Sequence, residues 1–361
     1  VVKSFVMGKI VSARCVMAID AICAGNLLAK GQWHAARGTA ARPQGRRFGA
    51  WRPQRLQRGW RWLWMCLVLL LSGGCAWLDT KAHQLALRPT PGRPAGLPSD
   101  DQLFRPGDER WLVALPGRAG AAAPAEQVAL WWLPHPNSKA PALLYLHGTF
   151  RSLYRNLPKI NALRDMGFSV LAVDYRGWGD SSAIVPDEST ITADALLAFE
   201  ELRRRQPDPA MRVIYGHSMG GAVAVRLASG LRGRPGAASL PQDYAALVLE
   251  STFTSMPDVA ASVGVIGRIA GAMTRLDFDS IGRIRRVDAP ILMMHGSADN
   301  TVPAELGRRL RDAAPSGVRW VEFDGGSHSR LHSDAPLPYA QAFANFFPQF
   351  SLRAATPAPA P

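Results

Sequence analysis

The stretch Arg212-Val213-Ile214-Tyr215-Gly216-His217-Ser218-Met219-Gly220-Gly221 decides how this chain is read. A run of strand length passes straight into Gly-x-Ser-x-Gly, and a segment rich in small residues (Ala222, Ala224, Ala228) follows with helical spacing. A sharp strand-to-helix turn of this kind, a nucleophile elbow, thrusts the serine hydroxyl out beyond the sheet, and only glycine-sized neighbours clear the crowded backbone. Ser218 is the candidate nucleophile. The bland alternative is a serine that merely shapes a turn.

A serine hydroxyl is a weak nucleophile at neutral pH and needs a base within hydrogen-bond reach, with an acid to orient that base. Behind an elbow these partners follow in the order acid, then histidine. Of eight histidines, only His328 and His332 lie beyond the last apolar run. His328, in Gly325-Gly326-Ser327-His328-Ser329, is the candidate base and His332 the reserve. The acid is expected in the loop His295-Gly296-Ser297-Ala298-Asp299-Asn300-Thr301-Val302-Pro303, where Asp299 is the one carboxylate. Asp299 could instead cap a helix starting near Pro303. Glu250, after another strand, is the alternative acid. The oxyanion needs fixed donors, usually backbone N–H groups. Met219, directly after the nucleophile, supplies one candidate. The turn His147-Gly148-Thr149-Phe150 supplies the other, with Thr149 preferred over Phe150 and His147 read as a support for the loop.

Working outward, apolar runs of strand length recur at Gln127–Leu133, Ala142–Leu146, Ser169–Val173, Arg212–Tyr215, Ala245–Leu249, Pro290–Met294 and Val318–Phe323. Helical spacing fills most of the gaps. Over Ile191–Arg205, for example, Ala195, Leu196, Phe199 and Leu202 share a face behind the capping candidate Thr190. Nearly continuous apolar strands alternating with helices predict an α/β fold: a mostly parallel sheet covered on both faces, with function beyond the carboxyl ends of its strands.

From about residue 126 to 350 the chain resembles the α/β-hydrolase superfamily. The resemblance rests on His147-Gly148, Asp174-Tyr175-Arg176-Gly177-Trp178-Gly179-Asp180-Ser181, the elbow at Ser218, Asp299 and His328, in that order and spacing. Within it, Leu249-Glu250-Ser251-Thr252-Phe253-Thr254-Ser255 and the short insertion before Phe278-Asp279 look like the small-lid serine hydrolases, which include lysophospholipase-like and depalmitoylating thioesterase members. The oxyanion turn departs from those relatives in carrying Thr149 where they often have Asn. The resemblance implies that Ser218 attacks an acyl carbonyl, His328 moves the proton, Asp299 holds the imidazole and water completes the cycle. It also implies a short helical lid over about 254–277. There Val259, Val263, Ile266, Ile269 and Met273 either line an acyl pocket or pack onto the sheet. Short to medium acyl esters or thioesters are the expected substrates.

The formal charge of +14 on 361 residues raises the question of nucleic acid, but its distribution answers it. Residues 1–74 hold 12 Lys and Arg against the single acid Asp20, whereas the remainder holds 30 against 27. Nucleic acid is not an expected partner of the body. All four cysteines (Cys15, Cys23, Cys66, Cys75) lie in the first 75 residues, so the body folds without an internal disulfide. The run Trp62–Leu71 follows Arg52, Arg55, Arg58 and Arg61 and precedes Ser72-Gly73-Gly74-Cys75, as in a secretory signal. A cysteine directly after small residues resembles the lipobox of bacterial lipoproteins, with Ser72 standing where leucine is usual. The resemblance implies lipidation at Cys75, a membrane partner through the lipid anchor and an exported, outer-membrane lipoprotein facing the periplasm; an ordinary or uncleaved signal is the alternative. No apolar run reaches the roughly 18 residues of a spanning helix.

The expected organisation is an extension over 1–50, a signal over 51–75, a Pro/Gly-rich tether over 76–100, the α/β-hydrolase domain over 101–352 and a tail over 353–361. The expected function is a serine hydrolase of carboxylic esters or thioesters acting on a small-molecule or lipid acyl substrate. A serine aminopeptidase-like peptidase and a non-catalytic binding module on the same fold are the alternatives. No motif calls for a metal or cofactor: Gly177-x-Gly179 lacks the third glycine of a dinucleotide site.

Overall fold

Strands that are apolar on both sides belong in the middle of a covered sheet, and that is where this chain puts them. A computed structural model describes residues 80–115, 125–231, 243–264, 276–315 and 317–352, all within the unit Trp64–Pro361. The extension 1–50, the signal-like stretch with Cys75 and the tail 353–361 lie outside the described residues.

Eight strands form one sheet: β1 (Glu109–Ala114), β2 (Gln127–Leu133), β3 (Ala142–Leu146), β4 (Ser169–Asp174), β5 (Arg212–His217), β6 (Ala246–Glu250), β7 (Ile291–Gly296) and β8 (Val318–Phe323). Their spatial order is β1-β2-β4-β3-β5-β6-β7-β8. Contacts from β4 through β8 are parallel, while β2 runs antiparallel to both β1 and β4. Every residue of β3 through β7 is buried. Alternate side chains feed two cores. Leu144, Ile214 and Leu249 pack under α4 (Glu188–Arg205) and α5 (Met219–Gly230) on one face; Leu143, Val213 and Val248 pack under α3 (Leu153–Met166) and α10 (Pro336–Phe346) on the other. The α/β-hydrolase fold is thus present, with the site at the carboxyl ends of β3, β5, β7 and β8.

Three features differ from the sequence reading. Strand β1 leaves no clear run in the sequence because it is an edge strand in which only Trp111 and Val113 are half-buried and the residues between and around them are exposed. The cap of α4 is Asp187, not Thr190: the Asp187 carboxylate accepts the Thr190 N–H at 2.7 Å while the Thr190 hydroxyl accepts the Asp187 N–H at 2.9 Å, a reciprocal capping box. The stretch 76–100, expected as a tether, is helical over residues 80–87 (α1), and Leu87 is fully buried in the core. Gly92 and Gly179 then hydrogen-bond along an isolated bridge, so residues 80–100 lie against the body.

The lid insertion contributes α6 (Met256–Ser262) among the described residues. Val259 packs on the sheet core, Val263 is exposed, and Ile266, Ile269 and Met273 lie outside the described residues.

Candidate active site

The last residue of β5 is His217, and α5 begins at Met219, so a single residue, Ser218, makes the whole turn. It does so at φ 57° and ψ −123°, a region that β-carbon sterics disfavour. Neighbours hold it there. The Ser218 N–H donates to the Glu250 carbonyl at 2.9 Å, and the Ser218 carbonyl accepts from the Gly221 N–H and the Thr252 hydroxyl. The two glycines of the motif are steric necessities: a Cβ on Gly216 would lie 2.2 Å from the Gly220 carbonyl oxygen, and one on Gly220 would lie 2.0 Å from the Leu146 carbonyl oxygen.

His328 Nε2 lies 2.9 Å from Ser218 Oγ and its Nδ1 lies 2.7 Å from Asp299 Oδ2. These three residues therefore meet across separations of 110 and 29 positions. Burial pushes the Asp299 carboxyl up, but hydrogen bonds from His295 and His328 outweigh it and hold the group well below the usual carboxylate range. An ionised carboxylate can only accept, so Nδ1 of His328 carries the proton and Nε2 is left to accept from the Ser218 hydroxyl. Asp299 uses its other oxygen locally: Oδ1 accepts the N–H groups of Thr301 and Val302 at 2.9 and 2.8 Å, which shapes the turn. The helix that follows, α8 (Ala304–Ala313), has Pro303 as its cap, so Asp299 is not a helix cap.

Glu250 takes no part in this chain. Its carboxylate is fully buried and accepts from the Lys159 ammonium, the Tyr215 hydroxyl and, at 2.8 Å, the Tyr339 hydroxyl. Burial raises it, but the charge of Lys159 and the hydrogen bonds from Lys159 and Tyr215 prevail and hold it at about 2. His332 borders the cavity, and its Nδ1 has no hydrogen-bond partner among the described residues. Burial, then the Lys159 charge, pushes it down to about 4.

Met219 heads α5, with its N–H beside the serine at the positive end of a 12-residue helix. Thr149 borders the same cavity, and the preceding Gly148 stands so close that a Cβ on it would lie 3.0 Å from Ser218 Cβ. His147 is fully buried beneath this turn, where its Nδ1 donates to the Gly148 carbonyl at 2.6 Å and its ring packs on Tyr175. Sequence reasoning passed over His217. Its Nε2 lies 2.9 Å from the His328 carbonyl oxygen, which can only accept, so Nε2 bears the proton. Burial, then the charge of Lys159, drives this imidazole well below its ordinary value, so it is neutral.

The cavity beside Ser218 measures about 400 Å³, and Phe150 and Pro158 contribute apolar wall. None of the described lid residues borders it.

A serine on a strained elbow, over a sheet of this order, with a histidine and a carboxylate from the last two strand ends, defines the class: this is an α/β-hydrolase site. The comparisons agree. Residues 137–276 match the family described as serine aminopeptidase, S33. The chain is 37% identical over 204 residues to an uncharacterized protein of Mycobacterium tuberculosis, covering 55% of this chain and 67% of that one. It is 30% identical over 234 residues to the lysophosphatidylserine lipase ABHD12 of Danio rerio, covering 58% and 59%. Among solved structures, the Pyrococcus furiosus esterase Pf2001 aligns with TM-score 0.53 at 18% identity over 73% of this chain and 99% of that one. An α/β hydrolase from Vibrio vulnificus aligns with TM-score 0.51 at 26% identity over 66% and 81%. The chain spans half to two thirds of the length of these curated relatives. It belongs to the α/β-hydrolase superfamily.

Proposed function

We propose that the protein is a serine hydrolase that cleaves carboxylic esters or thioesters through an acyl-enzyme. The observation that carries this reading is the continuous chain Asp299 to His328 to Ser218, with both hydrogen bonds in place. In the first half-reaction Ser218 Oγ bonds to the acyl carbonyl carbon as His328 Nε2 takes its proton. The imidazolium is stabilised by ionised Asp299, and the carbonyl electron pair moves onto oxygen, facing the N–H groups of Thr149 and Met219. Collapse expels the alcohol or thiol, which receives the proton from His328. Water then repeats the sequence and frees Ser218. Esterase and lipase relatives support ester cleavage, and the match to serine aminopeptidases favours an amide as the second reading.

A fluorophosphonate probe tests the nucleophile. The wild type should label stoichiometrically and Ser218→Ala should not, while Asp299→Asn should lose up to about 10⁴ in kcat. Labelling that persists in Ser218→Ala sinks the assignment, and faster turnover of a peptide amide than of its matched ester moves the substrate class to peptides. We further read Cys75 as a lipidated mature N-terminus that holds the enzyme at an outer membrane, since two or more acyl chains give stable anchoring. Mass spectrometry of the mature protein tests this; an unmodified Cys75 or a terminus elsewhere removes it.

A further inference from the structure

The walls of the cavity beside Ser218 are cationic. Arg151, Arg155, Lys159 and Arg330 border it, and no carboxylate does among the described residues. Two of the four charges are already balanced: Lys159 by Glu250, and Arg330 by Asp334 at 2.9 Å. Arg151 and Arg155 have no carboxylate or carbonyl partner for their guanidinium groups among the described residues, and both are exposed. Both also border the two depressions that adjoin the cavity, so they stand at its mouth.

Their position works against the fold. Arg151 immediately precedes the cap Ser152 of α3, and Arg155 lies in its first turn, which holds no acid. Cations at the positive end of a 14-residue helix are repelled by the backbone dipole and by each other. An anion between the two guanidinium groups would relieve both repulsions, and the fork geometry of arginine suits a carboxylate or phosphate.

We infer that Arg151 and Arg155 form a subsite for an anionic group, carboxylate or phosphate, on the part of the ester that occupies this cavity. The inference rests on the ester-hydrolase reading for its kinetics but not for binding. The pair acts on specificity: it selects an acyl ester bearing an anion over its neutral counterpart, and Lys159, already neutralised, forms the floor.

The test compares matched esters on the full chain. 1-Butyrylglycerol 3-phosphate against 1-butyrylglycerol puts the anion on the alcohol side; p-nitrophenyl glutarate against p-nitrophenyl butyrate puts it on the acyl side. For at least one pair the wild type should show kcat/KM about tenfold or more in favour of the anionic ester. Arg155→Gln should cut that ratio about tenfold, Arg151→Gln/Arg155→Gln should erase it, and Arg155→Lys should leave an intermediate value. High salt should shrink the wild-type ratio. Melting temperatures of the Gln variants should be equal to or above that of wild type, because repulsion at the helix end has been removed. Ratios near one for both pairs in the wild type, or ratios unchanged in the variants, overturn the subsite. If no ester is cleaved at all, the hydrolase reading fails first. Calorimetric binding of glycerol 3-phosphate and of glutarate then decides the subsite: saturable binding of either anion, lost in the double variant, supports it, and absence of binding of both overturns it.

Discussion

His217 donates its Nε2–H to the backbone carbonyl of His328 at 2.9 Å, so the residue before the nucleophile holds the loop that carries the base. The two rings are 5.0 Å apart. Because this bond ties the β5 end to the backbone of the β8 loop beside the contact of His328 with Ser218, it helps to set the distance that Ser218 and His328 must keep. Replacing His217 with Phe keeps the bulk and removes the donor, leaving a carbonyl without its partner. We expect kcat to fall roughly tenfold, with KM within about twofold and probe labelling slowed in parallel. His217→Gln, which restores an N–H donor, should recover part of the loss. A rise in KM at constant kcat would contradict this positioning role.

The same imidazole sets an acid-side limit on stability. Burial keeps folded His217 neutral well below the ordinary histidine value of about 6.5. Below that pH the unfolded chain binds a proton that the folded chain refuses, so stability is full above about 6.5 and falls as pH drops, by at most about 1.4 kcal/mol per pH unit from this group. His217→Phe should therefore flatten the stability curve between pH 7 and 5 in urea melts. Parallel curves for the two proteins would remove His217 as the titrating group.

Two glycines at the ends of one short segment should respond oppositely to alanine. Gly220→Ala puts a methyl 2.0 Å from the Leu146 carbonyl, a backbone atom that cannot swing aside, and should cost at least about 3 kcal/mol together with most of the activity. Gly230, at the end of α5, has nothing within 4 Å of the added Cβ. Its replacement should be neutral or stabilising by up to about 1 kcal/mol. Denaturant unfolding of both variants checks the contrast.

The buried pair Lys159–Glu250 ties α3 to the strand end whose carbonyl receives the Ser218 N–H. Lys159→Met leaves the Glu250 carboxylate buried with only tyrosine donors and should destabilise by roughly 3–5 kcal/mol. Adding Glu250→Gln should return part of that loss, since a neutral amide needs no counter-charge. An additive double variant would show that the two side chains are not coupled.

The contrast between strands explains what a sequence can convey. Strands β3 through β7 are buried on both faces, so they leave continuous apolar runs that stand out from their surroundings. Strand β1 pairs on one edge only, carries exposed Glu109 and Arg110, and leaves a weak alternation. The order of Ser218, Asp299 and His328 was legible because chain order follows strand-end order on this fold. The bonds of Lys159 to Glu250 and of His217 to His328 span 91 and 111 positions. Nothing local distinguishes a lysine on a helix that faces water from one that faces a buried glutamate. The packing of residues 80–100 was hidden by their proline and glycine content, which reads as a linker unless Leu87 is known to be buried.

The acyl-chain profile follows from the cavity wall. Among the described residues its apolar surface comes from Phe150 and Pro158, not from Val259 or Val263 of the lid insertion. Each further CH₂ that reaches this wall can gain up to about 0.8 kcal/mol, or roughly fourfold in kcat/KM, until about 400 Å³ is filled. With p-nitrophenyl esters from acetate to palmitate, kcat/KM should climb over the short chains and level off before the long ones. Phe150 is exposed and holds the Arg88 guanidinium over its ring at 4.6 Å. Phe150→Ala removes most of that wall without touching Ser218, His328 or Asp299, so it should flatten the climb while acetate turnover changes little. A climb that survives Phe150→Ala would move the acyl contact away from the cavity wall, and a profile flat in the wild type would show that the chain of the substrate lies outside the cavity altogether.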